Sequence, residues 1–250
     1  MNDVTNDIWA RWRQATRARI GLGRSGDALP TSALLEFQAA HGRARDAVHG
    51  AVDVVALAER FAPLPCLTLH SQAPDRATYL RRPDLGRRLD DASAAMLKDH
   101  ADDWDIAFVI ADGLSARAVM THAVPVLQRC IAGLAGWRIA PIILASQARV
   151  ALGDHVAACL NAKAVAVLIG ERPGLSVADS LGIYLTWAPH IGRADSERNC
   201  ISNIHADGMS HDQAVATLLW LLREARRLNL SGIGLKLDPA GVAALLPTST

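Results

Sequence analysis

The sequence predicts an α/β protein: a C-terminal Rossmann-like parallel sheet with helices on both faces over residues 101–250, preceded by a mainly helical N-terminal region over residues 1–100. Two observations carry this. Beyond about residue 104, short apolar runs alternate with helical segments. Strands that alternate with helices imply a parallel sheet covered on both faces. Before that point, helix start and stop signals dominate.

The elements follow in order. The opening stretch holds a short amphipathic helix with Ile8, Trp12, Ala15 and Ala18 on one side, a face expected to dock on its own domain. "PTSALLEFQAAHGRARDAVHG" opens on Pro30 and Thr31 and stops at Gly50, so a helix is expected between them. "CLTLH" reads as a short strand, and "DLGRRLDDASAAMLKDHA" as a second helix with Leu85, Leu89, Ala92 and Met96 on one face. "DIAFVIADG", "WRIAPIILASQ", "AVAVLIGERPG" and "LGIYLTWAPH" are four strands. Helices "ARAVMTHAVPVLQRCIAGLAG" and "GDHVAACLNA" separate the first three. "SHDQAVATLLWLLREARRLNLSG" closes the series, with Ser210 and Gln213 as a capping box and Gly232 as its stop. Between the fourth strand and this helix lies "ERNCISNIHADG", too polar for a strand and too rich in turn formers for a helix.

Composition narrows the function classes. The 250 residues are half hydrophobic, and 26 basic against 25 acidic residues leave a net charge of +1. No basic stripe of a nucleic-acid binder emerges, and no run approaches the ~18 to 20 apolar residues of a membrane span. Cys66, Cys130, Cys159 and Cys200 stand far apart with no CxxC pair, which points to reduced thiols in the cytoplasm and away from a disulfide scaffold.

Context separates the candidate sites. "GLGRSG", with Asp46 beyond it, matches a dinucleotide fingerprint in text, but "RQATRARI" ahead of it is no buried strand to deliver the glycines to a phosphate. "YLRRPDLGRRL" gathers Arg81, Arg82, Arg87 and Arg88, which could clamp a phosphate or carboxylate, or form a solvated or subunit-facing surface with the interleaved Asp84, Asp90 and Asp91. Four polar loops follow predicted strands: Asp112 to Ser115, Arg149 and Val150, Glu171 and Arg172, and the Cys200 segment. At the carboxyl edge of a parallel sheet such loops converge into a ligand crevice. Cys200 with His205 as base would make a stand-alone cysteine-dependent hydrolase; the pair could instead be half a metal site, or Cys200 a packed thiol.

The motifs "GRSGDALPTSALLEFQAAHGRARDAV", "YLRRPDLGRRL", "VIADGLSARAV", "LIGERPGLSVADSLGIYLTWAPH" and "RNCISNIHADG" together resemble the small (light) subunit of ethanolamine ammonia-lyase, from about residue 15 to about residue 236. The resemblance implies an adenosylcobalamin-dependent radical enzyme that converts ethanolamine to acetaldehyde and ammonia by amino migration. It implies a hetero-oligomer, in which a TIM-barrel large subunit carries the substrate site and the small subunit closes over the corrinoid. Residues 1–100 would contact the large subunit and 101–250 the cobalamin. By the same resemblance Val150, Glu171 and Cys200 are cofactor contacts, and no residue of this chain is catalytic or ligates a metal. No D-x-H-x-x-G pattern is present, so the resemblance implies base-on binding. The chain lacks the long polar extension of relatives that work inside a bacterial microcompartment; only its short N-terminal helix could serve as such an address.

Overall fold

The structure, a computed structural model, describes residues 8–247. One six-stranded sheet organises it, built from β1 (Cys66–His70), β2 (Ala107–Ala111), β3 (Ile142–Ser146), β4 (Ala164–Gly170), β5 (Leu181–Trp187) and β6 (Asn199–Ile204). Their spatial order is β1-β3-β2-β4-β5-β6. Ten helical stretches accompany them: α1 (Ala10–Ala15), α2 (Thr31–His49), α3 (Val54–Glu59), α4 (Arg76–Arg81), α5 (Asp91–Lys98), α6 (Ala116–Ala118), α7 (Val124–Ala132), α8 (Leu152–Leu160), α9 (His211–Leu228) and α10 (Pro239–Ala243). Every residue of β2 and β4 is buried, as the unbroken apolar runs require. Phe108 and Ile110 face one core with α7 and α9, whereas Ala107, Val109 and Ala111 face a second with α5 and α8. Among the described residues no helix is long and apolar enough to cross a membrane.

The sheet departs from the expected all-parallel form. β1 to β4 are parallel, but β5 runs antiparallel to β4 and β6 antiparallel to β5. The β4–β5 connection spans only residues 171–180 and contains no helix, so it turns the chain back where a parallel crossover would need an intervening helix. The segment read as strandless contains β6. Only Ile201 and Ile204 of β6 are buried, while its polar residues face outward at the sheet edge. A register irregularity opposite Leu181 and Ile183 sets those two inward residues three apart, which conceals the alternation of an edge strand.

The helices show further corrections. The run from Asp84 divides into a 3-10 turn at Leu85–Arg87 and α5, because Asp90 accepts from the Ser93 N–H and starts a new helix. Leu97, not Met96, is then buried. The expected helix from Ala116 contains a π turn at Val119–Ala123 just before Pro125, whose missing N–H disrupts the regular ladder. α9 starts with the expected Ser210–Gln213 box but stops at Leu228, where Asn229 takes the left-handed cap role assigned to Gly232. α1 buries no residue, and Ile8 and Trp12 are exposed, so its apolar face is not docked on the rest of the chain.

Candidate functional site

The carboxyl ends of β2, β3 and β4 meet at one edge of the sheet. β2 leads into α6 and α7 on one face and β3 into α8 on the other, so their loops part and leave a crevice. The fourth loop arrives by a route the sequence did not suggest. β5 ends at the opposite edge, pairing Trp187 with the first residue of β4, and β6 brings the chain back. There the Glu171 carboxylate accepts from the Asn203 N–H at 3.2 Å and from the Ser180 hydroxyl, both through Oε2. Oε1 accepts no hydrogen bond among the described residues and remains available to a ligand's donor.

Asp112 positions the loop after β3. Its buried carboxylate accepts from the N–H groups of Gln147 and Ala148, each at 2.9 Å, and holds Gln147 at φ 53°. Desolvation pushes the Asp112 pKa up, while those amides and Arg76 oppose the shift. Arg76 donates to Asp112 at 3.3 Å and to the carbonyl of Val48, at the end of α2, at 2.6 Å. Tyr79, fully buried, donates its hydroxyl to the Ala148 carbonyl at 3.1 Å, and the Arg149 guanidinium lies 4.1 Å from the centre of its ring. The peptide of Val150 is thus held between two anchored residues and α8.

Val150 and Glu171 line one cleft of about 280 Å³, together with Arg149, Ile169, Arg172 and Tyr184. Cys200 lies beside it. It pairs directly across the sheet with Tyr184. The residue as a whole is exposed at the sheet edge, yet desolvation around the thiol pushes its pKa up. Glu171 adds to that shift, and the neighbouring Tyr184 phenol opposes it. The Tyr184 phenol is likewise raised, first by desolvation and then by Cys200. The structure therefore brings two of the three expected contacts to one cleft and the third to its rim. These residues could hold a cofactor that carries amide or hydroxyl donors and an apolar flank. The cleft offers an apolar wall, an aromatic ring, a carboxylate oxygen for amide or hydroxyl donors, and the buried Arg149 Nε without a partner.

Tyr184, Tyr79, Arg76 and Ser180 were not singled out from sequence. Tyr184 is the single part-buried position in an otherwise buried strand, a feature that only the fold reveals. The pairing of Cys200 with His205 as a dyad does not fit. His205 donates from Nε2 to Asn203 Oδ1 at 2.9 Å and accepts at Nδ1 from the Asp207 N–H at 3.2 Å, so neither nitrogen is left for a thiol. Its ring braces the loop after β6. Among the described residues no group of three or more His, Cys, Asp or Glu side chains could hold a metal ion. The glycines of "GLGRSG" form turns, with Gly21, Gly23 and Gly26 left-handed, and no strand leads into them. The preceding segment instead crosses the site's rim, where Arg17 pairs with Asp207 and Arg19 donates to the Leu175 carbonyl.

Comparison with known proteins adds to this geometry. A family model described as ethanolamine ammonia-lyase light chain (EutC) matches residues 6–236. An ethanolamine ammonia-lyase small subunit of Pseudomonas aeruginosa (strain LESB58) is 51% identical over 245 residues, covering 95% of this chain and 89% of its own. The small subunit of Pseudomonas syringae pv. tomato is 49% identical over 249 residues, covering 94% and 87%. That of Xanthomonas campestris pv. campestris (strain B100) is 52% identical over 238 residues, covering 92% and 88%.

Proposed function

The chain belongs to the ethanolamine ammonia-lyase light-chain family, and on that premise we propose that it closes the adenosylcobalamin site of a hetero-oligomer with a TIM-barrel large subunit. The large subunit then holds ethanolamine, while this chain holds the corrinoid, base-on, from the opposite side. Residues 101–250 face the cofactor and residues 1–100 the partner. The complex belongs in the cytoplasm, free or packaged in a microcompartment. Bound adenosylcobalamin supplies the radical that initiates amino migration in ethanolamine and so yields acetaldehyde and ammonia.

The residues of this chain bind, orient and exclude water. Glu171 is held through Oε2 by Ser180 and Asn203, which leaves Oε1 to accept from a corrinoid amide or ribose hydroxyl. Val150 supplies apolar contact from a turn fixed by Asp112. Cys200 meets the cofactor as a neutral thiol, because its raised pKa keeps it protonated at neutral pH. The observation that carries the reading is the meeting of Val150 and Glu171 in one cleft, with Cys200 on the Tyr184 side of it.

The test is a visible-spectrum titration of the reconstituted two-subunit complex with adenosylcobalamin. Wild type is expected to bind it, and Glu171→Gln to bind about tenfold more weakly, as loss of a charge-assisted hydrogen bond implies. Ethanolamine turnover by this chain alone, or no cobalamin uptake by the complex, would overturn the assignment.

A further inference from the structure

The largest of the described cavities, about 580 Å³, lies outside the cleft. The linings of the two meet at the turn at residues 149–151: Arg149 and Val150 line the cleft, and Ala151 lines the cavity. Its walls include Gln72, Arg87, Arg88, His155 and Arg193. Arg87 and Arg88 come from the arginine-rich motif, and their turn is fastened to the cleft, since the Arg149 N–H donates to the Gly86 carbonyl at 2.8 Å.

The lining is rich in donors and poor in acceptors. The guanidiniums of Arg87 and Arg88 have no hydrogen-bond or ion-pair partner among the described residues, whereas the nearby Arg82 is paired with Asp84. Arg193 is anchored by Glu197 and by the carbonyls of Trp187 and Ala188, but its buried Nε has no partner. His155 accepts at Nδ1 from the Leu89 N–H at 3.2 Å, which places its proton on Nε2 as a further donor. Desolvation and then the charge of Arg88 lower its pKa, so the positive potential of Arg88 reaches the ring. The single carboxylate in the wall, Asp154, is already held by both ends of Arg198 at 2.7 and 2.6 Å. A concave site with several free donors and its one acceptor neutralised fits a tetrahedral oxyanion.

We propose that this cavity is a phosphate-binding site, with Arg87 and Arg88 as its principal ligands and the phosphodiester of the corrinoid's nucleotide tail as its occupant. The identification of the occupant rests on the cobalamin reading. If the reacting face of the corrin must point to the substrate on the large subunit, the opposite face, which carries the nucleotide tail, points to this chain. The tail's phosphodiester then needs a cationic receptor on this side, and the cavity beyond Val150 is one.

The experiment compares adenosylcobalamin with adenosylcobinamide, which lacks the nucleotide tail and its phosphate, by spectral titration of the complex carrying wild-type chain or the double substitution Arg87→Gln/Arg88→Gln. The double variant is expected to weaken cobalamin binding about ten- to a hundredfold and leave cobinamide unchanged. Equal weakening of both ligands, which an acidic group of the large subunit in the cavity would produce, overturns the proposal, as does no change in either. Inorganic phosphate provides the second arm. It is expected to raise the Tm of wild-type complex more than that of the double variant, and an equal effect on both removes the oxyanion site altogether. If wild-type complex binds no cobalamin, the cobalamin reading fails, and this phosphate arm alone decides whether the cavity is an oxyanion site.

Discussion

At the scale of single residues, the same chemistry serves two ends, and burial decides between them. Arg198 and Asp154 are 1% and 2% exposed and meet as a bidentate pair, with Thr186 accepting a further bond from Arg198 at 2.9 Å. Removing one partner strands the other charge out of water, so Asp154→Asn is expected to cost about 3 to 5 kcal/mol of unfolding free energy, measured by urea denaturation. An exposed pair such as Arg82–Asp84 is expected to contribute far less in the same assay. His122 and His211 give a pH effect. Their rings meet at 2.9 Å, and both pKa values are lowered, mainly by desolvation. His211 and His205 add to the shift on His122, and Asp179 opposes it. In the window between the ordinary histidine pKa and the lowered folded values, the unfolded chain therefore binds more protons. Stability is fully present above about pH 6.5 and is lost as pH falls through the folded pKa values, by up to about 1.4 kcal/mol per pH unit for each group. Urea denaturation between pH 7 and pH 5 is expected to show this slope, and His122→Asn to make it shallower; an unchanged slope would count against the assignment.

At the scale of elements, the loops of the site are locked by close backbone approach. A Cβ on Gly170 would come within 2.2 Å of the Ser115 carbonyl oxygen, and one on Gly113 within 2.3 Å of the Gly170 carbonyl oxygen. Gly170→Ala must therefore push the loops after β2 and β4 apart; a loss of about 1 to 3 kcal/mol is expected, with weaker cobalamin uptake by the complex. These strands were legible in the sequence because burial on both faces leaves an unbroken apolar run. Direction was not legible, since such a run reads alike whether the strand is parallel or, as β5 is, antiparallel. β6 was missed because only Ile201 and Ile204 turn inward. Of the candidate site, the segments that hold Val150, Glu171 and Cys200 stand out as polar stretches after predicted strands, and the three residues themselves come only from the family resemblance. Arg76 and Tyr79 do not stand out, because their roles come from contacts to Asp112 and Ala148, far away in the chain.

At the scale of the whole molecule, the two regions differ in how they dispose of their apolar surface. The sheet buries its own on both faces. α2 does the reverse: its buried residues are Ala33, Ala40 and Ala47, whereas Leu34, Leu35 and Phe37 are 41%, 58% and 40% exposed. Ile8 and Trp12 extend that exposure through α1 at 72% and 63%. A helix that packs alanines inward and presents larger apolar side chains outward is suited to being covered, and apolar patches left in water promote association. The role proposed for residues 1–100, contact with the large subunit, supplies such a cover. The chain purified alone is accordingly expected to self-associate on size-exclusion chromatography and to become well dispersed when co-expressed with the large subunit. Leu35→Ser with Phe37→Ser is expected to raise the monomer fraction of the isolated chain and, in the same preparation, to weaken its capture of the large subunit. Because both side chains already face outward, the substitutions should leave Tm nearly unchanged, which separates a lost interface from a damaged fold. Unimpaired capture by the double variant would place the large-subunit contact elsewhere on the chain.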